Sequence, residues 1–125
     1  MIKGVGIDMI ETERVAAKIG KEAGFRELVF SEKEIAYCES KANKYAHYAA
    51  RFAAKEAFFK AIGTGWQNGT SFNEIEILVD EKGKPVLHLL GETAGTLAEL
   101  NNSFVSVSLS HLKAIASAIV IIENK

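Results

Sequence analysis

Three residues of this chain have types and settings suited to gripping a phosphate or a hard metal ion: Asp8, Glu56 and Lys60. Glu56 and Lys60 stand four apart inside RFAAKEAFFKAIGTG, residues 51–65, so a helix places them one turn apart on one side. On that helix Phe52, Phe58, Phe59, Ile62 and the alanines cover most of the circumference, the pattern of an element buried on nearly every side. Two polar stripes remain, Arg51 with Lys55 and Glu56 with Lys60. A carboxylate and an ammonium flanked by phenylalanine and alanine lose hydration, a cost of several kcal/mol per ion unless each finds a partner. Glu56 and Lys60 therefore either pair with each other or serve a ligand.

Asp8 lies in IKGVGIDMI, residues 2–10, which alternates as a short buried strand. Val5, Ile7 and Met9 share one face; Gly4, Gly6 and Asp8 share the other. A face cleared by glycine lets a backbone or a ligand come close, and an aspartate at its end is a hard oxygen ligand. The competing role for Asp8 is to cap the next helix near Thr12.

The elements that must position these groups follow in order. Glu11 to Gly24 reads as an amphipathic helix with Val15, Ala16, Ile19 and Ala23 inward. Arg14, Lys18 and Lys21 share its other face, with Arg26 just beyond: either a solvated stripe or a docking strip for an acidic helix. Ser31 and Glu34 form a capping box that starts a helix running from about Glu32 to about Lys41. KANK then breaks the path before the central helix begins near Lys44. His47 receives no role, since a lone helical histidine is usually a packing or surface residue.

After the central helix, GTGWQNGTSF is a loop whose Thr64 and Gly65 sit at a helix C-terminus, where the dipole disfavours phosphate. Glu74 to Asp80 and Pro85 to Leu90 form a β-hairpin around EKGK. Glu92 to Leu100 is a short helix. Phe104 to Ser110 alternates valine and leucine with serine, and Ala116 to Ile122 is apolar on both faces, suiting a sheet interior or a subunit contact. Ser110 beside His111 does not make a hydrolytic pair, because neighbours on a strand point to opposite faces.

Composition narrows the classes. At 125 residues and 48% hydrophobic, the chain suits one soluble domain spanning residues 1–125. Residues 1–60 carry eleven Lys or Arg against nine acids, and 61–125 carry four against seven. That excess is too small for a nucleic-acid footprint but enough for a local patch facing an acidic partner. Cys38 is alone, so no disulfide forms within the chain, and a reduced, cytoplasmic setting is expected. No apolar run reaches membrane-span length, and the start lacks the features of a signal peptide.

GIDMIE near the start, RFAAKEAFFKAIG in the middle and SLSH near the end occur in an order and at separations that resemble the holo-acyl-carrier-protein synthase family of phosphopantetheinyl transferases. The resemblance covers nearly the whole chain. It implies an α+β fold, a small antiparallel sheet around a long buried helix, assembled as a homotrimer with active sites between subunits. It implies Mg²⁺-dependent transfer of the 4′-phosphopantetheine arm of coenzyme A to a serine of an apo acyl carrier protein, releasing adenosine 3′,5′-bisphosphate, for fatty acid biosynthesis.

On this reading Asp8 and Glu56 hold the metal, and Lys60 holds the phosphates as a point charge. The serine proton passes to Glu56 or to water. Ser110 and His111 match positions lining the coenzyme A nucleotide pocket, with Arg51 and the turn through Gly83 and Pro85 contacting ribose phosphate and adenine across the subunit boundary. Arg14, Lys18, Lys21 and Arg26 would steer the acidic carrier protein. After SLSH the chain reads LKAIA where the resemblance implies a more polar, often aromatic, stretch. Two other readings stand beside this one: the same chemistry on a peptide or polyketide carrier, and a non-catalytic coenzyme A or nucleotide-binding module.

Overall fold

The computed structural model describes every residue from Met1 to Lys125. Helix α4, Lys44–Ile62, is the axis of the molecule, and both hydrophobic clusters are built on it. Ala46, Ala49, Ala50, Ala53, Ala54, Ala57 and Ala61 are all buried along it. Alanine keeps the helix surface low, so strands come near to its backbone.

The strand that comes nearest is β1, Ile2–Glu11. A Cβ added at Gly4 would lie 1.9 Å from the Ala61 carbonyl oxygen, and one at Gly6 would lie 1.9 Å from that of Ala57. Two strand residues advance about 6.6 Å and four helical residues about 6 Å, so alternate positions of β1 meet successive turns of α4. The face that the glycines clear is therefore occupied by helix backbone, and only its far end, at Asp8, is open to a ligand. This corrects the expectation of a buried strand: the apolar side is the open one, with Ile7 62% and Met9 66% exposed.

Strand β1 pairs antiparallel with β5, Ile115–Asn124, which also pairs with β4, Ser103–His111, giving the order β1-β5-β4. Central placement explains why β5 is apolar on both faces. Its inward residues Ala116, Ala118, Val120 and Ile122 are buried against α4. The outer face carries Val5, Ile7 and Met9, then Ile119 and Ile121, then Ser106, Ser108 and Ser110 in cross-strand register.

A second sheet is the hairpin β2, Ile75–Val79, and β3, Pro85–Leu89. Its turn is closed by Asp80, whose side chain accepts from the Lys82 and Lys84 N–H groups at 2.9 Å, and by Gly83 at φ 83°. The first helical segment is shorter than the sequence suggests: α1, Thr12–Lys21, stops, Gly24 turns at φ 84°, and α2, Phe25–Val29, follows. Helix α3, Glu32–Glu39, carries the complete Ser31–Glu34 capping box, and α5, Gly91–Thr96, completes the set. No helix is long and apolar enough to cross a membrane.

The deepest charges are a correction to the helix reading. The stripe that folding buries is Arg51 and Lys55, not Glu56 and Lys60. Lys55 Nζ donates to Glu34 Oε1 at 2.8 Å, to the Phe72 carbonyl at 2.8 Å and to the Ile75 carbonyl, so all three protons are used. Glu34 also accepts from the N–H groups of Ser31 and Ile77 at 2.9 Å. Both side chains are wholly buried. A capping residue thus ties α3, α4 and β2 together. Burial pulls the Lys55 pKa down while Glu34 opposes it. Cys38 is buried as expected, and burial pushes its thiol up to about 12.

Candidate active site

Helix α4 turns Glu56 and Lys60 toward the end of β1, where Asp8 emerges from under the helix. Lys60 Nζ donates to Asp8 Oδ1 and to the Ile7 carbonyl, both at 3.0 Å. Lys60 is thus the partner of Asp8 rather than of Glu56. Asp8 makes no helix cap: the N-cap of α1 is Glu11, without a side-chain bond. Glu56 is half-buried and has no hydrogen bond to the protein. Its carboxyl is pushed above the usual range first by burial and then by the Asp8 charge, with Lys60 and Lys18 pulling the other way. Two carboxylates and a lysine converge where one carboxylate has nothing to hold.

This donor set fits a hard divalent ion. Mg²⁺ takes one or two carboxylates and fills its remaining positions with water and substrate phosphate. No group of three or more His, Cys, Asp or Glu gathers here, so the protein by itself offers no closed cage. A cavity of about 470 Å³ opens beside the cluster, with Glu56 and Lys60 at one end, Gly63 and Gly65 along it, and Phe59, Trp66 and Phe72 as walls.

The residues expected at a nucleotide pocket gather elsewhere. Arg51, Gly83, Pro85 and His111 line one cavity of about 170 Å³ with Tyr37, His47 and Leu109. Arg51 is buried, donates from Nε to the Ile77 carbonyl at 3.1 Å, and lies 4.4 Å from the centre of the Tyr37 ring. Its Nη2 is buried without a partner, a donor whose desolvation an anionic ligand would compensate. His47, given no role in the sequence, stands edge-on to His111 at 5.2 Å between ring centres. Burial and then the Arg51 charge hold its pKa low. Only the spacing of His47 one turn before Arg51 signalled it.

His111 also borders a larger cavity of about 520 Å³ at the start of α4, beside Asn43, Lys44, Tyr45 and Lys113. Helix α4 has no side-chain cap there and no acid in its first turn, a setting that favours an anion. Ser110 lies apart from these cavities, on the outer face of the sheet opposite Ser117. The two groups, Asp8 with Glu56 and Lys60, and Arg51 with Gly83, Pro85 and His111, share no cavity within one chain.

The basic residues divide likewise. Arg14 and Lys21 are exposed on α1, and Lys18, whose charge is felt at Glu56, lies over the Phe25 ring. Arg26 is committed to Glu27 at 2.8 Å and to Glu39 at 3.4 Å.

In this α+β molecule the central helix meets the end of β1 at two carboxylates and a lysine, and a separate hollow surrounds a buried arginine, charges of the kind that phosphate groups require. The chain belongs to the 4′-phosphopantetheinyl transferase superfamily, whose family model matches residues 4–115. A holo-(acyl-carrier-protein) synthase of Cytophaga hutchinsonii is 48% identical over 124 residues, covering 97% of each chain. Among solved structures, the holo-(acyl-carrier-protein) synthase of Neisseria meningitidis matches with a TM-score of 0.88 at 32% identity, over 99% of this chain and 100% of that one. That of Bacillus anthracis in complex with coenzyme A (3′,5′-ADP) matches with a TM-score of 0.82 at 35% identity, over 100% and 99%.

Proposed function

We propose that the chain transfers the 4′-phosphopantetheine arm of coenzyme A to a serine of an apo acyl carrier protein, as a homotrimer with sites shared between neighbours. The observation that carries this is the unpartnered, half-buried Glu56 beside the Asp8–Lys60 pair. Asp8 and Glu56 would hold Mg²⁺, which when bound makes the phosphorus more electrophilic and offsets charge on the departing nucleotide.

Lys60 swings from Asp8 to the pyrophosphate as a point charge; its side chain is 54% exposed and free to do so. The serine Oγ bonds to the pantetheine-side phosphorus, the bond from that phosphorus to the bridging oxygen breaks, and adenosine 3′,5′-bisphosphate leaves with the electron pair. The serine proton passes to Glu56 or to water.

The trimer is supported by the open sheet face. Val5, Ile7 and Met9 form an exposed apolar row, continued by Ile119 and Ile121. Burying it between copies would bring Asp8, Glu56 and Lys60 of one subunit to Arg51, Gly83, Pro85 and His111 of the next, with Ser110 at the boundary. Arg14, Lys18 and Lys21 would meet the carrier's acidic helix beside Glu56, while Arg26 holds the α2–α3 junction. The test is incubation with coenzyme A, Mg²⁺ and apo acyl carrier protein, followed by intact mass. Addition of the arm to the carrier supports the reading; coenzyme A binding with unchanged carrier mass rejects it in favour of a binding module.

A further inference from the structure

His47 lies half-buried on α4, one turn before Arg51, and the charges that act on it are all positive. On its own helix, Arg51 donates from Nη1 to the His47 carbonyl at 3.4 Å. From β4 comes His111, edge-on at 5.2 Å between ring centres, and from α3 comes Tyr37, edge-on at 5.6 Å. Lys41, just after α3, places its Nζ 4.8 Å from the centre of the Tyr37 ring. His111 in turn has Lys44, Tyr45 and Lys113 beside it in the neighbouring cavity. No Asp or Glu lines either cavity. Burial, then Arg51, then His111 and Lys41 all resist a charge on His47, so the empty hollow keeps a neutral imidazole beside permanent cations.

An anion reverses that balance. The buried Arg51 Nη2 has no partner in the protein, and a phosphate that accepts from it brings negative charge into the hollow that both imidazoles line. An imidazolium there then has a counter-charge. One proton is enough for the pair: two imidazoliums in contact repel, whereas one beside a neutral ring is held by that ring's negative face. The edge-on packing of His47 and His111 already has this geometry, so the two titrate as a unit.

We infer that the His47–His111 pair takes up a proton from solvent when a nucleotide's ribose phosphate fills this hollow, which makes His47 a specificity-determining residue for the phosphorylated ribose. This rests on the transfer reading, with coenzyme A as substrate and Arg51 in its nucleotide pocket. The sign follows from linkage: a site that gains a proton with its ligand binds that ligand more tightly as pH falls, and the gain is lost as pH rises through the pair's pKa in the complex. Holding the proton about tenfold more tightly in the complex returns, by reciprocity, at most about tenfold in affinity for the nucleotide.

Calorimetric titrations with adenosine 3′,5′-bisphosphate, in buffers of different ionisation enthalpy, count the protons taken up. Repeating them from about pH 6.5 to about pH 8 gives the affinity profile. The wild type should take up between about half a proton and one proton near pH 7, and bind about fivefold to tenfold more tightly at the lower pH. His47→Phe keeps an aromatic edge without a titrating nitrogen, and His47→Gln keeps a polar group; with folding verified by circular dichroism, both should lose most of the uptake and flatten the profile. A merely structural role for His47 would weaken binding equally at every pH. The phosphate's own ionisation, with a second pKa of about 6, is common to wild type and variants, so their difference reads the histidine. Dephospho-coenzyme A, which lacks the ribose phosphate, should bind without proton uptake. Absent uptake in the wild type, equal uptake in the variants, or equal uptake with dephospho-coenzyme A overturns the inference and leaves the transferase reading standing. Failure of either nucleotide to bind overturns both.

Discussion

At the scale of single residues, folding distinguishes two lysines that look alike in sequence. Lys55 uses all its protons on Glu34 and two carbonyls inside the core, whereas Lys60 lies at the surface with exposed contacts to Asp8 and the Ile7 carbonyl. Lys55→Ala leaves Glu34 charged and alone, so urea unfolding should show a loss of about 3–5 kcal/mol. The double variant Glu34→Gln/Lys55→Met should lose clearly less, because no charge is left stranded. Glu56→Gln should behave in the opposite way: transfer falls by about 100-fold or more, while stability is kept or slightly raised. The sign follows from its raised pKa: the folded state binds more protons than the unfolded, so the wild type loses stability from this group as pH rises through the folded pKa. The advantage of Glu56→Gln over wild type should therefore be near zero at about pH 4 and present at about pH 7, measured by urea unfolding at each.

At the scale of elements, the contact of β1 with α4 is the joint that sets the site. Asp8 reaches Lys60 only because Gly4 and Gly6 let the strand lie on the helix carbonyls. Gly6→Ala puts a methyl against the Ala57 carbonyl, which is backbone and cannot yield, so a loss of about 3 kcal/mol or more is expected together with loss of transfer. Gly20→Ala is the matched control, in α1 with nothing within 4 Å, and should be neutral or stabilise by about 0.4–1 kcal/mol. Thermal melts and circular dichroism of the two variants separate a steric joint from a general intolerance of alanine.

At the scale of the whole molecule, the two halves of the proposed site lie in separate cavities, and the outer sheet face is open and apolar. If each site takes Glu56 from one subunit and His111 from the next, two inactive variants must complement. Glu56→Gln and His111→Ala trimers, unfolded and refolded as an equal mixture, should regain about a quarter of wild-type activity, since a quarter of the boundaries pair two intact halves. No recovery would mean that each site is built within one subunit.

The elements themselves were legible because they rest on local chemistry: the 3.6 periodicity of α4, the alternation of β4, the Ser31–Glu34 cap and the glycine turn at Gly83 are settled by near neighbours. The motifs containing Asp8, Glu56 and Lys60 carried the family for the same reason, as fixed spacings along the chain. Which lysine is buried, which face of β1 is open, how His47 meets His111, and that Lys60 holds Asp8 rather than Glu56 were decided only in three dimensions. Each depends on contacts between segments far apart in sequence, and a periodic pattern says that a face is apolar or charged without saying what will lie against it.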